Sequence, residues 1–519
     1  MTRRRKRWLL AAGAAVVAAA GGMALAGWWA ARNAEPFLRE QTVAYLERRF
    51  DADVDLQRVK VRLRWRSTWD VLLHRGEGAE AEVEAGPLTL RLRKDARLPP
   101  VLEASGVKFT VDVGTLGGAA VMVRRARVEG LVIHVPPRRG RRGGAGTGAA
   151  NVVIGELEAP GSRLVLLPRD AARAPLEFAM HRLVLRSAGR GRAMRYETEL
   201  TNAKPPGQIR CRGSLGPWVA ESPQDTPVSG VYTFEKADLG VFRGIAGTLS
   251  SQGKFGGVLG EMVVDGSTRT PDFRLTASGT AMPLETAFHA IVDGTNGDTR
   301  LEPVSGRLGS SRFLVNGSVA RNAGERGKTV ALTAAVAEGR LDDFLRLAMK
   351  GERPFLSGGI GMRAHIVVPP GRGEIADRLE LKGTFRLREA RFTSRTVQEQ
   401  MDGLSRRAQG QPSNEDISEV PCAMTGEFDM AGGRILFPRL GFTIPGAEVE
   451  LAGEYLFGPQ TLDFAGEARI EAKVSEMMKS RWKRWVLKPV DPFFAKKGYG
   501  TVSKIRITGT RDQPKFGRM

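Results

Sequence analysis

The residue types that most often carry catalysis or bind metals are sparse in this sequence and do not cluster. Its five histidines are scattered singly, mostly inside strand-like runs: His74, His134, His181, His289 and His365. The sequence has no Gly-x-Ser-x-Gly, His-Glu-x-x-His, phosphate-binding glycine loop or Cys-x-x-Cys motif. A carboxylate pair for glycoside hydrolysis needs only spatial proximity, so it stays open, but no particular pair is indicated. We therefore expect no enzyme activity and no cofactor.

One segment has oxygen ligands in a pattern that resembles a calcium loop. Asp293, Asn296 and Asp298 lie close together, but their spacing is not that of an EF-hand and the terminal Glu is missing. Asp293-Gly294 and Asn296-Gly297 are dipeptides typical of hairpin turns. The pattern therefore favours a turn, and we expect no metal.

The two cysteines, Cys211 and Cys422, are far apart in the sequence. A disulfide between them is permitted in an exported chain, but unpaired thiols on separate strands are the favoured interpretation.

The strong positive charge restricts the class of partner. The 519 residues carry a formal net charge of +22, for which nucleic acid is the usual partner. Here the arginines are dispersed along strand-like runs, and the chain is predicted to be exported, so we expect no nucleic acid. Anionic lipid headgroups or other envelope polyanions are better candidates. A compositional bias with no dedicated partner is the alternative.

The N-terminus predicts a membrane anchor. Basic residues at positions 3–7 precede an uncharged stretch that runs from position 8 to position 31. Trp8 at one end and Trp28 and Trp29 at the other are separated by ~30 Å in a helix, the thickness of one hydrocarbon core. A signal peptide cleaved after Ala26 is the rival interpretation. The continuation through Trp28 and Trp29 favours a retained anchor, with the N-terminus cytoplasmic and the bulk of the chain exported.

The rest of the chain shows the period of two that is typical of half-buried strands. Val59, Val61 and Leu63 alternate with Lys60 and Arg62, and the same alternation recurs along most of the sequence. Predicted helices are few and short: residues 37–50, residues 396–409, and two short segments after Asp238 and Arg340 that resemble copies of one unit. In each copy an Asp is expected to cap the helix.

So few helices cannot cover the apolar face of so much sheet. The sheet must therefore close on itself or leave an apolar trough, for which acyl chains are the expected occupant. The predicted fold is mainly β, an elongated twisted antiparallel sheet that forms an apolar groove. The groove candidates are the following residues: Phe273, Leu275, Phe313, Val315, Phe385 and Leu387.

Two further segments are candidates for contact with a membrane. The basic loop at residues 138–142 is either an idle insertion or a contact with an anionic surface. Near the C-terminus, Trp482, Arg484, Trp485 and Lys488 mix aromatic and basic side chains as an interfacial segment does. A helix and loop that close one end of the sheet is the equal alternative.

The order of several segments resembles the AsmA-like family of periplasmic lipid-transport proteins. The similar segments are residues 45–54 and 59–63 near the start, 200–207 and 293–299 in the middle, and 392–393, 397–398, 404–410, 487–494, 505–510, Pro514 and Phe516 near the end. The resemblance implies an inner-membrane protein of a diderm bacterium whose sheet forms an apolar groove for phospholipid chains. It implies no catalytic residues.

These observations predict five regions: a basic tail (1–7), an anchor (8–31), an AsmA-like N-terminal β region (32–240), a middle β repeat region (241–379) and an AsmA-like C-terminal region (380–519). The expected function is phospholipid transport and outer-membrane lipid homeostasis, with phospholipid and the inner membrane as partners. The alternative is a periplasmic scaffold that assists outer-membrane protein assembly through its sheet edges, with an outer-membrane or periplasmic protein as partner.

Overall fold

The structure is a computed structural model, and its description covers most of the chain beyond the N-terminal segment. The described positions are 40, 43, 47, 52–64, 80–93, 99–112, 121–135, 152–167, 175–189, 192–217, 219, 223–277, 280–294, 297–322, 325, 327–349, 354–371, 373–473, 476–477, 500–510 and 513–518. Positions 40, 43 and 47, which fall in the first predicted helix, are helical.

The chain divides into two compact units. The first holds the described residues up to Asp238 together with Leu249–Ser267 and Ile291–Asp298. The second holds Leu239–Thr248, Thr268–Ala290 and the described residues from Thr299 onward. The strands on either side of the predicted boundary at 379/380 pair with each other inside the second unit.

The fold is mainly β, as the alternation predicts, and nearly every pairing is antiparallel. The first fourteen strands are β1 Ala52–Leu56, β2 Val59–Arg64, β3 Glu80–Ala85, β4 Leu88–Leu92, β5 Leu102–Ala104, β6 Gly106–Asp112, β7 Val121–Glu129, β8 Val132–Val135, β9 Val152–Glu158, β10 Ser162–Leu166, β11 Leu176–Gly189, β12 Met194–Ala203, β13 Pro206–Leu215 and β14 Pro227–Asp238. The remaining strands are β15 Ile245–Ala246, β16 Thr248–Val258, β17 Glu261–Leu275, β18 Met282–Val292, β19 Thr299–Leu308, β20 Ser311–Ala320, β21 Thr329–Arg340, β22 Leu356–Val368, β23 Glu380–Phe392, β24 Cys422–Ala431, β25 Arg434–Ile444, β26 Ala447–Leu456, β27 Thr461–Ile470, β28 Thr501–Thr510 and β29 Pro514–Arg518.

The sheet of the first unit closes on itself. One arm pairs in the order β1, β4, β5, β8, β10 and the other in the order β2, β3, β6, β7, β9. Both arms end on β11, which pairs with β10 through its first half and with β9 through its second half. Leu56 and Leu102 of one arm are fully buried in the same core as Val83 and Ile154 of the other. Val43, which is helical, also packs against this core.

The second unit contains one continuous antiparallel ladder. β19 to β29 pair in sequence order, each with the next. Because consecutive strands run in opposite directions, their connections fall at two ends of the ladder. We call these the helical end, where β21 and β23 finish, and the hairpin end, where β20 and β24 finish.

Helices are few among the described residues. Besides the helical positions 40, 43 and 47, they are α1 Leu341–Ala348, the single turn α2 Ile375–Arg378 and α3 Arg395–Ala408, with 3-10 turns at Pro223–Asp225 and Leu239–Val241. α3 confirms the prediction for residues 396–409 to within one residue. The two proposed repeat copies differ: the one after Asp238 is only a 3-10 turn, whereas the one after Arg340 is a two-turn helix.

Candidate functional site

One face of the second unit's ladder is apolar from β19 to β28. Register places side chains from neighbouring strands on this face, for example Val315 beside Ala334 and Met362 beside Phe385. We call it the apolar face. Its principal members are Val304, Phe313, Val315, Leu332, Ala334, Met362, Ile366, Leu381, Phe385, Met424, Phe428, Ile435, Phe437, Leu440, Leu451, Tyr455, Leu462, Phe464, Ile505 and Ile507. Most of these side chains are half-buried.

Aromatic rings on this face lie over glycines of the adjacent strand. A Cβ on Gly426 would lie 2.6 Å from the Phe385 ring, and one on Gly453 would lie 2.7 Å from the Phe464 ring. Phe313 covers Gly306 in the same way. Only a residue without a side chain permits this approach, since the ring occupies the volume of the missing Cβ. The rings of Phe313, Phe385 and Phe464 therefore fill the space that a side chain at each of these glycines would occupy.

The rings also contact one another. The Phe385 ring lies 6.3 Å from that of Phe428 and 6.4 Å from that of Phe437, and Phe437 lies 5.8 Å from Phe464, measured between centroids. The tilted and edge-on geometries are the ones that aromatic pairs prefer. An aromatic band thus crosses from β23 to β27 in the middle of the apolar face.

The helical end of the apolar face is covered. Side chains of α1 and α3, including Phe344, Leu404 and Ala408, pack against buried residues of the ladder such as Ile360 and Ile444. Towards the hairpin end the same face continues as half-buried side chains, such as Leu332 and Ile366. The face is therefore closed at one end and open at the other within the part of the chain that the structure describes.

A buried carboxylate holds α1 on the ladder. Asp343 accepts hydrogen bonds from the Ser310 amide (3.0 Å), the Ser310 hydroxyl (2.7 Å) and the Ser311 hydroxyl (2.7 Å). Burial alone raises the pKa of Asp343, but these hydrogen bonds outweigh it and hold the pKa below its ordinary value. The predicted cap is wrong here, because Asp342 binds Arg340 and Asp343 binds the β19–β20 turn, so neither side chain caps the helix.

Polar residues along one side of α3 fix it to the surrounding loops. The Asp402 carboxylate accepts hydrogen bonds from the backbone amides of Glu419 and Val420, and the Ser405 hydroxyl donates to the Pro445 carbonyl. The Gln398 side-chain amide bridges Asp402 and the Val420 carbonyl. Gln398 and Ser405 thereby position the helix that covers the helical end of the apolar face.

The opposite face of the ladder is charged and carries cross-strand ion pairs. Arg469 lies 3.4 Å from Glu450, and Arg506 lies 3.0 Å from Asp463. The pairing of Arg506 lowers the pKa of Asp463. The two faces thus differ sharply, one apolar and one ionic.

The six predicted groove residues separate into three groups. Phe313, Val315 and Phe385 lie on the open, half-buried part of the apolar face. Leu387 shares that face but is only 4% exposed and belongs to the closed core at the helical end. Phe273 and Leu275 are half-buried at the end of β17, where Leu275 pairs with Ile245 of β15. The ladder described above begins at β19, so these two are not assigned to its face.

The predicted membrane contacts lie outside the described residues. They are the anchor residues Trp8, Trp28 and Trp29, the basic loop at 138–142, and Trp482, Arg484, Trp485 and Lys488. Among the helices that are described, none has the length and apolarity needed to cross a membrane.

The remaining residues considered for catalysis or metal binding form hydrogen bonds within turns and between strands. The Asp293–Asp298 segment is a turn, as favoured, with the Gly297 amide donating to the Asp293 carbonyl at 2.6 Å. The His134 ring forms a hydrogen bond with the Pro100 carbonyl, and the His365 ring forms one with the Thr333 hydroxyl of the adjacent strand. No group of three or more potential metal ligands is found among the described His, Cys, Asp and Glu side chains.

The two cysteines are free thiols on separate strands, Cys211 on β13 and Cys422 on β24. Burial raises the pKa of Cys211, and it raises the pKa of Cys422 to about 11. Both groups are therefore thiols and not thiolates at neutral pH, which makes them poor nucleophiles.

Sequence reasoning missed the pairing of rings with glycines and the role of Asp343. The signal for the first was present, because glycines such as Gly383 and Gly426 occupy apolar-face positions in otherwise alternating runs. Finding it required the register between strands. Comparison with known proteins adds no relative, since no family model, curated protein or solved structure matches this chain.

Proposed function

We propose that this chain is an inner-membrane-anchored periplasmic protein that supports phospholipid transport and outer-membrane lipid homeostasis. The observation that carries the proposal is the apolar face, which continues across the whole ladder of the second unit yet is covered by helices only at one end. Half-buried aliphatic and aromatic side chains that extend over many adjacent strands are typical of a surface that binds an apolar ligand.

Acyl chains fit this surface in chemistry and shape. Rings that fill the space over glycines, together with aliphatic side chains, give a broad apolar surface, which suits a flexible hydrocarbon chain. Each methylene moved from water onto the surface contributes about 0.8 kcal/mol, so the face would lower the cost of a lipid leaving a bilayer. The mechanism is passive shielding and involves no catalytic residue.

Two sequence features support the location and the ligand class. The basic cluster and apolar stretch at residues 3–31 predict an inner-membrane anchor with an exported body. The ordered segments that resemble the AsmA-like family imply phospholipid as the ligand. Both lines are independent of the apolar face itself.

Three positions on β21 test the proposal because they differ in face or in coverage. Leu332 lies on the open apolar face, Thr333 lies next to it on the opposite face, and Val336 lies on the apolar face at the covered end, where it is 4% exposed. A photo-crosslinking amino acid is placed at Leu332 of the full chain, which is expressed in the envelope of a diderm bacterium and exposed to light only after purification in detergent, when no bilayer is present; it should form adducts with phospholipid that co-purifies. The same residue at Thr333 should form few or none. Mass spectrometry of the purified chain identifies the adducts.

Charge substitution provides the second arm. Leu332→Asp should lower the lipid that co-purifies with the chain while leaving it folded, and Thr333→Asp should change neither. Val336→Asp should unfold the covered end, since a buried unpaired carboxylate costs several kcal/mol. Equal lipid adducts at positions 332 and 333, or undiminished lipid in Leu332→Asp, would refute the proposal.

A further inference from the structure

Arginines that are dispersed in the sequence converge on the charged face of the second unit. Arg312 lies on β20, Arg363 on β22 and Arg386 on β23, and all three side chains are exposed. Arg363 pairs in register with Thr384, so Arg386 is its diagonal neighbour two residues along β23, at ~7 Å. We call Arg312, Arg363 and Arg386 the arginine patch.

Among the described residues the patch arginines lack carboxylate partners, as do Arg307 and Arg439 of the same face, whereas several other arginines of this face are paired. Toward the C-terminus Arg434, Arg469 and Arg506 each form an ion pair with Glu454, Glu450 and Asp463 respectively. Among the described residues, none of the three patch arginines has an ion-pair partner. Two cations that flank the patch are paired, since Arg388 lies 3.8 Å from Glu338 and Lys382 lies 3.6 Å from Asp429. Arg307, which stands opposite Arg312, donates to the Gly309 carbonyl instead.

The nearest carboxylate in the same row does not neutralise the patch. Arg363 is followed across the sheet by Thr384 and then by Glu427, which places Glu427 two strands from Arg363, at ~10 Å. Glu427 is also the diagonal neighbour of Arg386 on the adjacent strand, at ~7 Å, but the two side chains form no ion pair. Glu427 itself stands opposite Arg439 of β25. The three positive charges, on β20, β22 and β23, therefore outnumber the carboxylates beside them, which favours an anionic ligand.

An exposed leucine lies within this cationic surface. Leu314 shares the charged face with Arg312, two residues away on β20, and is 50% exposed. Across the sheet, Leu314 pairs with Ala335, which pairs with Arg363. Gly361 lies opposite Arg386 and adds no side chain, so the surface between the arginines is low and accessible.

We propose that the arginine patch and Leu314 form a docking surface for an anionic lipid bilayer. Basic residues around an exposed aliphatic side chain are the combination that peripheral membrane surfaces use, with the arginines on lipid phosphates and the leucine between headgroups. The exposed leucine favours a bilayer over a soluble polyanion, because it gains free energy only where an apolar interior lies behind the anionic headgroups. This proposal concerns the face opposite to the apolar one and does not depend on lipid transport.

The test uses the full chain held in nanodiscs of phosphatidylcholine, so that any anchor is already accommodated. Co-sedimentation is then measured with added vesicles of phosphatidylcholine alone and of phosphatidylcholine mixed with phosphatidylglycerol. We expect binding to the mixed vesicles only, weakening as salt is added. Replacing all three patch arginines by glutamine should weaken binding roughly a hundredfold, about fivefold for each arginine.

A matched variant separates the patch from total charge. Replacing Arg434, Arg469 and Arg506 by glutamine removes the same three charges from paired positions and should leave binding within a few fold. Leu314→Ser should weaken vesicle binding severalfold but leave binding to heparin, a soluble polyanion, unchanged. Equal losses in the two triple variants, no binding to mixed vesicles, or no effect of Leu314→Ser on vesicle binding would each overturn the proposal.

Discussion

The attachment of α1 through Asp343 gives a prediction whose magnitude follows from the structure. Asp343 is 6% exposed, and a single carboxylate oxygen accepts the Ser310 amide, the Ser310 hydroxyl and the Ser311 hydroxyl. A hydrogen bond to a charged acceptor contributes about 1.5–3 kcal/mol, against about 0.5–1.5 kcal/mol for a neutral one. Asp343→Asn keeps an oxygen in this position but removes its charge. Since neighbouring hydrogen bonds are not additive, we expect a loss of about 2 kcal/mol.

Hydrogen exchange at the Ser310 amide measures this loss directly, because that amide donates to Asp343. A loss of about 2 kcal/mol corresponds to roughly thirtyfold faster exchange through local opening. The neighbouring Asp342→Asn is the control, since Asp342 pairs only with the exposed Arg340 and should change exchange little. If the two variants accelerate exchange equally, the argument for Asp343 fails.

Protonation of Asp343 at low pH should weaken the attachment of α1 to the ladder. Its pKa in the folded chain is lower than in the unfolded chain, so the stabilisation is complete above the ordinary value of about 3.9. It is lost as the pH falls from that value through the lower folded pKa. Exchange at Ser310 should therefore accelerate over this range in the native chain, whereas Asp343→Asn should show no such acceleration. A native chain whose exchange is unchanged there would contradict the assigned pKa shift.

Two further predictions concern the middle of the ladder. Gly426→Ala should destabilise the second unit by about 1–3 kcal/mol, because the new Cβ displaces the Phe385 ring, whereas Gly458→Ala, which meets no atom within 4 Å, should be nearly neutral. Urea denaturation compares them, and equal midpoints would contradict the ring-over-glycine packing. Cys422, 3% exposed and with a pKa of about 11, should resist iodoacetamide at neutral pH until the chain unfolds. Rapid labelling of the native thiol would show that β24 is more open than described.

The local pattern predicted the strands and α3 well because each depends on a short period in the sequence. Val59 and Val61 alternate with charged residues and form β2, and the stripe of Val397, Met401 and Leu404 forms one side of α3. The spacing of polar and apolar residues in these runs is enough to predict the element, without information about distant residues.

Coverage and pairing could not be predicted from the same pattern. Phe385 and Leu387 are two residues apart on one strand and equally apolar, yet the first is half-buried and the second lies in a closed core. The difference arises because α3, which follows β23 in the sequence, packs back onto the last residues of β23. The parallel pairs β8/β10 and β7/β9 are likewise set by the closure of the first unit and not by any local signal.

The shortage of helices left two outcomes open, closure of the sheet or an uncovered apolar surface, and the chain contains both. In the first unit β11 joins two arms, so the sheet supplies its own cover. In the second unit ten strands from β19 to β28 present a face roughly 45 Å wide at ~4.8 Å per strand, whereas one helix of ~10 Å diameter covers about two strands. α1 and α3 therefore cover only a part of it, at the helical end. Rings over glycines reduce the apolar area that water meets but do not remove it, so the described elements leave the hairpin end of this face to be covered by something else.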